Sequence, residues 1–178
     1  TTPPCRAAVR LNSGVRRQMQ ISLRLAEETE RSFCESLSRE NMESYRAARD
    51  VQWDPDRFLA SWNEFENLVI VCGDQLVGTV RLLPEGEELE LRDLQVHPER
   101  QGEGIGSWAL EQTKQLAISR GYDRLRLRVF SENPAKFLYI RSGFETVSDT
   151  DGTLHMVWRL SPNNSFKPTP LRGVGKAS

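Results

Sequence analysis

From Glu88 to Gln112 the chain reads ELELRDLQVHPERQGEGIGSWALEQ: an alternating run, then a turn with three glycines in five residues, then a helical period. Leu89 and Leu91 alternate with Glu90 and Arg92, which predicts a strand, and the adjacent Asp93 and Leu94 interrupt that alternation as a bulge would. After the glycines, Ile105, Trp108, Ala109, Leu116 and Ala117 recur on one side of a helix that should stop at Gly121. A strand that enters a helix through such a turn brings several backbone N–H groups and the positive helix end to one point. No side chains block close approach there, so the turn can bind a phosphate. Gly102, Gly104 and Gly106 permit the backbone path, and Ser107 adds a hydroxyl. Glu103 opposes a bare phosphate unless its side chain turns away.

The same periods extend on both sides. ISLRLA (21–26) alternates as a strand, and a mostly polar helical stretch covers 27–49. Asp54-Pro55 suits the start of a second helix, in which Phe58, Leu59 and Trp62 repeat at helical spacing. LVIVCG and LVGTVRLL flank Gly73-Asp74 as a hairpin. YDRLRLRVF (122–130) sets Leu125, Leu127 and Val129 against arginines, Asn133-Pro134 opens a short helix ending at Gly143-Phe144, and LHMVWRL (154–160) closes the sheet. Helices interspersed with a mixed sheet predict one α/β (α+β) domain without internal repeats.

Charge and cysteines narrow the class. Residues 1–18 hold four arginines and no acid, and 161–178 hold three basic residues and no acid, which leaves 17 basic against 25 acidic residues between them. A middle segment of net charge about −8 disfavours nucleic-acid backbones and favours cationic small molecules or peptides. The three cysteines are odd in number and scattered, so neither a disulfide framework nor a zinc site is expected, and Cys72 reads as a buried apolar residue. No apolar run approaches the length of a membrane span, and a cytoplasmic protein without membrane partners fits best. The two flanks, 1–18 and 161–178, read as mobile arms around a domain at 19–160.

Rival phosphate motifs fit less well. The chain has no Gly-Lys-Ser/Thr, which removes the nucleoside-triphosphate loop. Gly104-x-Gly106-x-x-Ala109 meets a loose dinucleotide fingerprint with Glu132 as its acid, yet residues 97–103 separate the strand from the glycines.

The run LQVHPERQGEGIGSWALEQ resembles the acyl-CoA-binding segment of the GNAT superfamily of N-acyltransferases, whose Gln/Arg-x-x-Gly-x-Gly/Ala signature falls on Gln101, Gly104 and Gly106. The later NPAKFLYIRSGF is similar to a second family motif, and the likeness extends from about residue 19 to residue 160. The resemblance implies a bent sheet of six to seven strands flanked by helices, acetyl-CoA as co-substrate without a metal, and a possible homodimer. It also implies that Gln101 to Ser107, including Glu103 and Ile105, hold the pyrophosphate through main-chain N–H groups. The strand edge Leu94, Gln95 and Val96 would pair with the pantetheine arm, and a splayed N–H near Val96 would face the thioester oxygen.

In that setting Tyr139 becomes the general acid for the departing thiolate, a role its ordinary pKa near 10 suits. Its bland reading is a half-buried tyrosine beside Leu138 and Phe144. Asn133 is a helix cap first and a cofactor contact second. Glu90 is the candidate base, with Asp93 in reserve; against it stands a strand glutamate paired with Arg92 or Arg128. His97, ahead of a proline, reads as a loop residue. Trp53, Asp54, Asp56 and Trp62 near the expected acceptor cleft favour a cationic small amine, with a protein N-terminus or lysine as the enzymatic rival. A non-catalytic acyl-CoA sensor is the alternative of another class.

Overall fold

The computed structural model describes residues 20–161. The expected leader 1–18 and all but the first residue of the tail 161–178 lie outside the described residues. Seven strands form one sheet: β1 (Ile21–Leu25), β2 (Glu66–Cys72), β3 (Gln75–Glu85), β4 (Glu88–Val96), β5 (Arg124–Phe130), β6 (Glu145–Thr150) and β7 (Thr153–Arg159). Four helices accompany it: α1 (Arg31–Ala47), α2 (Pro55–Glu64), α3 (Ile105–Ser119) and α4 (Ala135–Arg141). The order across the sheet is β1-β2-β3-β4-β5-β7-β6, and every pairing is antiparallel except the central β4–β5 pair, which is parallel. The expected mixed sheet flanked by helices is therefore present. Its parallel pair follows from the helical crossover α3, since two parallel neighbours cannot be joined by a tight turn.

Alternation sorts the side chains of the sheet. Leu89, Leu91, Leu125, Leu127 and Met156 point with Ile105, Ala109 and Leu110 of α3 into the main core, all nearly inaccessible to solvent. A second, smaller core on the opposite face joins Cys34 of α1 to Phe58 and Trp62 of α2 over Val69. Asp54 caps α2 as its sequence suggests, accepting from the N–H of Arg57 at 3.0 Å.

Three expectations need correction. LHMVWRL lies inside the sheet, between β5 and β6, so β6 and not β7 forms the edge. None of the residues of ETVSDT is buried, so the run carries no apolar alternation that would mark it as a strand. The turn Asp151-Gly152, with φ of 50° and 76°, is the signal that would have revealed it. The bulge in β4 falls on Arg92: the ladder steps from Arg81 opposite Asp93 to Leu82 opposite Leu91. Finally, Cys72 is fully buried but disulfide-bonded, while Cys34 is a free thiol. No helix among the described residues is long and apolar enough to cross a membrane.

Candidate active site

The parallel pairing of β4 with β5 is short, from Leu89–Leu91 opposite Leu125–Leu127, and beyond the Arg92 bulge the two strands separate. A cleft of about 1090 Å³ opens in that gap, lined by the second half of β4, the glycine turn, β5, α4 and the α1 face bearing Asn41 and Tyr45. The backbone of β4 faces it in a defined way. His97 donates its N–H to the Val77 carbonyl at 2.8 Å, so by antiparallel alternation His97 and Gln95 turn their backbone groups toward β3. Leu94 and Val96 therefore present theirs to the gap. The Val96 carbonyl is already engaged there, accepting from Asn41 Nδ2 at 3.0 Å and Gln101 Nε2 at 3.1 Å.

Gly102 and Gly104 hold φ of 79° and 84°, a left-handed path that costs a residue with a Cβ about 1–2 kcal/mol. Gly106, in the first turn of α3, lies so close to α4 that a Cβ there would stand 3.4 Å from Leu138. The helix leaves the N–H groups of Ile105, Gly106 and Ser107 without acceptors inside α3, and all three residues line the cleft. The Glu103 side chain, the one feature of the turn that opposes an anion, lies away from the cleft and accepts from Arg100 Nε at 3.0 Å. The loop thus offers an anion several unhindered donors at one helix end.

Tyr139 sits on α4 with its ring edge-on to Phe144 at 5.9 Å and lines the cleft. Burial, with a smaller contribution from the Asp93 charge, pushes its phenol above the usual tyrosine range and keeps it protonated. Asn133 caps the entry to α4, its Oδ1 accepting from the Ala135 N–H at 2.9 Å, and it also lines the cleft. Asp93 accepts from Gln95 Nε2 at 2.7 Å and from the Ser38 hydroxyl.

Glu90 is buried in the same cleft, and its carboxylate meets Arg92 Nη1 at 3.2 Å, Arg128 Nη2 at 3.1 Å and Arg126 Nη2 at 3.4 Å. The paired reading of this residue describes its contacts, with Arg126 added. Asn41 and Arg57 also line the cleft but carry no sequence signal, since only the packing of α1 and α2 on the sheet brings them there. Trp53, Asp54, Asp56 and Trp62 do not line it. Trp53 donates to Glu35 of α1 and Trp62 of α2 to Glu28, just before α1, so both indoles are held outside the cleft, and the sequence argument for a cationic small amine loses these residues.

A gapped parallel pair beside an anion-binding helix start can be compared with known proteins. The profile of the Acetyltransferase (GNAT) family matches residues 30–144, about two thirds of the chain. The chain belongs to the GNAT family. A thialysine N-epsilon-acetyltransferase of Bos taurus is 33% identical over 69 residues, 38% of this chain and 41% of that relative, so the match spans less than half of it. Among solved structures, the PaiA N-acetyltransferase of Thermoplasma acidophilum, determined with coenzyme A, superposes with a TM-score of 0.65 at 18% identity, over 79% of this chain and 99% of its own. The ribosomal-protein-S18-alanine N-acetyltransferase of Escherichia coli gives 0.63 at 20% identity, over 83% and 100%. At such identities the likeness establishes the GNAT fold for residues of this chain and no acceptor.

Proposed function

We propose that this GNAT protein transfers an acetyl group from acetyl-CoA to the primary amine of a small molecule, by direct attack within a ternary complex. The observation that carries the reading is the gap between β4 and β5, which has free main-chain donors on one side and a protonated, buried Tyr139 on the other. The N–H groups of Ile105 to Ser107, with those of Gly102 to Gly104, hold the pyrophosphate of the co-substrate, and Gln101 braces the turn. The strand edge at Leu94, Gln95 and Val96 aligns the pantetheine arm, and donors on that edge polarise the thioester carbonyl.

The acceptor arrives as an ammonium ion and must lose a proton before its nitrogen lone pair can attack. Glu90, or Asp93 through water, takes that proton; the nitrogen forms its bond to the acetyl carbon as the carbon–sulfur bond breaks. Tyr139 then gives its hydroxyl proton to the thiolate, and solvent restores it. The rival acceptor, a protein N-terminus or lysine, fits the family equally well, but a cleft walled by α1 and α2 favours a small molecule. The protein is placed in the cytoplasm, as a monomer or homodimer.

The test is release of free thiol from acetyl-CoA over a panel of primary amines. Turnover that is lost in Tyr139→Phe with coenzyme A affinity retained supports the proposal. Binding of coenzyme A without turnover on any amine would make the protein a sensor.

A further inference from the structure

The acceptor end of the cleft carries an excess of cations. Arg92 and Arg128 both line it and both reach the same oxygen, Glu90 Oε1, at 3.2 and 3.1 Å, so their guanidinium groups converge. Arg57 lines the cleft from the first turn of α2. Three guanidinium groups thus face the cleft against Glu90; a fourth, Arg126, touches Glu90 but is also paired with Glu85 and Glu88, which do not line the cleft. The other carboxylate in the lining, Asp93, is engaged by Ser38 and Gln95 and lies next to the buried Arg81, which has no other carboxylate near it.

The cluster is also short of acceptors. Glu90 uses only one edge of each guanidinium: Arg92 Nε and Nη2 and Arg128 Nη1 have no protein partner among the described residues, and Arg126 Nε is buried without one. Arg92 is held by stacking over the Phe65 ring at 5.0 Å, and its side chain is only 27% exposed, so it is a positioned donor rather than a solvated surface arginine. Arg92 is fixed and partly desolvated, and Arg128, with a side chain 47% exposed, converges on it; two planar guanidinium groups with free N–H edges suit a carboxylate. They repel a second ammonium.

We infer that the acceptor is an amino carboxylate, with the reacting amine aimed at the gap between β4 and β5 and a carboxylate held between Arg92 and Arg128, with Arg57 at the rim. The inference rests on the acetyl-transfer reading above and narrows it. A zwitterion matches the site on both counts: its ammonium approaches Glu90 and Asp93, and its anion satisfies the free donors. Polyamines, which offer only cations, should be poor acceptors despite the negative charge of the domain as a whole, because local donors and not net charge decide contacts at this range.

The experiment compares, by thiol release, ω-amino acids of three to six carbons and lysine with their amides, with alkylamines and with spermidine. Removing the carboxylate should lower kcat/KM by about 10- to 100-fold, the loss expected for a charge-assisted pair left unmade. Arg128→Gln and Arg92→Gln should shrink that ratio toward one, and Arg128→Lys should restore part of it; the wild-type comparison stands even if a variant folds poorly. Amides, alkylamines or spermidine turned over as well as the amino acids would overturn the inference and leave acetyl transfer intact. No thiol release from any amine would overturn the transfer reading itself, and this inference with it.

Discussion

Gln101 donates from Nε2 to the carbonyl oxygen of Val96 at 3.1 Å, tying the glycine turn to the last residue of β4. The bond couples the two surfaces proposed to grip coenzyme A, the anion-binding turn and the strand edge. Asn41 of α1 closes on the same carbonyl, so the helix over the acceptor side senses the same point.

Gln101→Ala therefore loosens the turn without unfolding it. One net hydrogen bond contributes about 0.5–1.5 kcal/mol, so coenzyme A affinity measured by calorimetry should weaken about 3- to 10-fold. The melting temperature should change little, because Gln101 is exposed.

Gly104→Val places a β-branched residue at φ of 84°. Open space surrounds the position, so the cost is backbone strain of about 1–2 kcal/mol rather than a clash. The variant should melt a few degrees lower and lose most of its stabilisation by added coenzyme A, seen as a vanished thermal shift.

Tyr139→Phe removes a hydroxyl that has no protein partner among the described residues, so stability should hold while thiol release falls about 100- to 10,000-fold. The pH dependence has a definite sign. Burial raises the folded phenol above its unfolded value near 10, so its contribution is complete below about pH 10 and is lost as pH rises beyond it, where the unfolded chain ionises first. The alkaline fall in wild-type melting temperature above about pH 10 should thus be shallower in Tyr139→Phe.

Glu132 meets Arg49, which lowers its carboxyl to about 2; Arg49 also lies over the Phe130 ring at 3.7 Å. A depressed carboxyl stabilises above its unfolded value and ceases to do so as pH falls through its folded one. The gap in melting temperature between wild type and Glu132→Gln should be full at neutral pH and should close as the acid is titrated from about pH 4.5 toward 2.

Glu90→Gln leaves converging guanidinium groups facing a neutral amide. Removing one partner of a buried ionic cluster costs about 3–5 kcal/mol, so the melting temperature should drop markedly. A base role predicts in addition that kcat falls in this variant while coenzyme A affinity holds. If Glu90→Gln keeps its kcat and Asp93→Asn loses it, the proton is taken by Asp93.

Much of the fold was legible because it is local. Left-handed angles at Gly102 and Gly104, the cap at Asp54 and the alternation of Leu125, Leu127 and Val129 depend on a few neighbouring residues, whose sterics and burial leave few alternatives. The β6 edge was hidden because an exposed strand needs no apolar pattern, only a partner to pair with.

The site followed the same division. The run from Leu89 to Ser107 and the motif around Tyr139 determined, as sequence, which segments would form a turn for an anion and a helix bearing a phenol. Only the tertiary structure decided that Arg92 would be the bulged residue, that Glu90 would sit among Arg92, Arg126 and Arg128, and that Trp53 and Trp62 would bond Glu35 and Glu28 instead of lining the cleft. Those outcomes depend on strand register and on charges brought together from more than 30 residues apart. Pairing energies between such distant positions leave no trace in any local period.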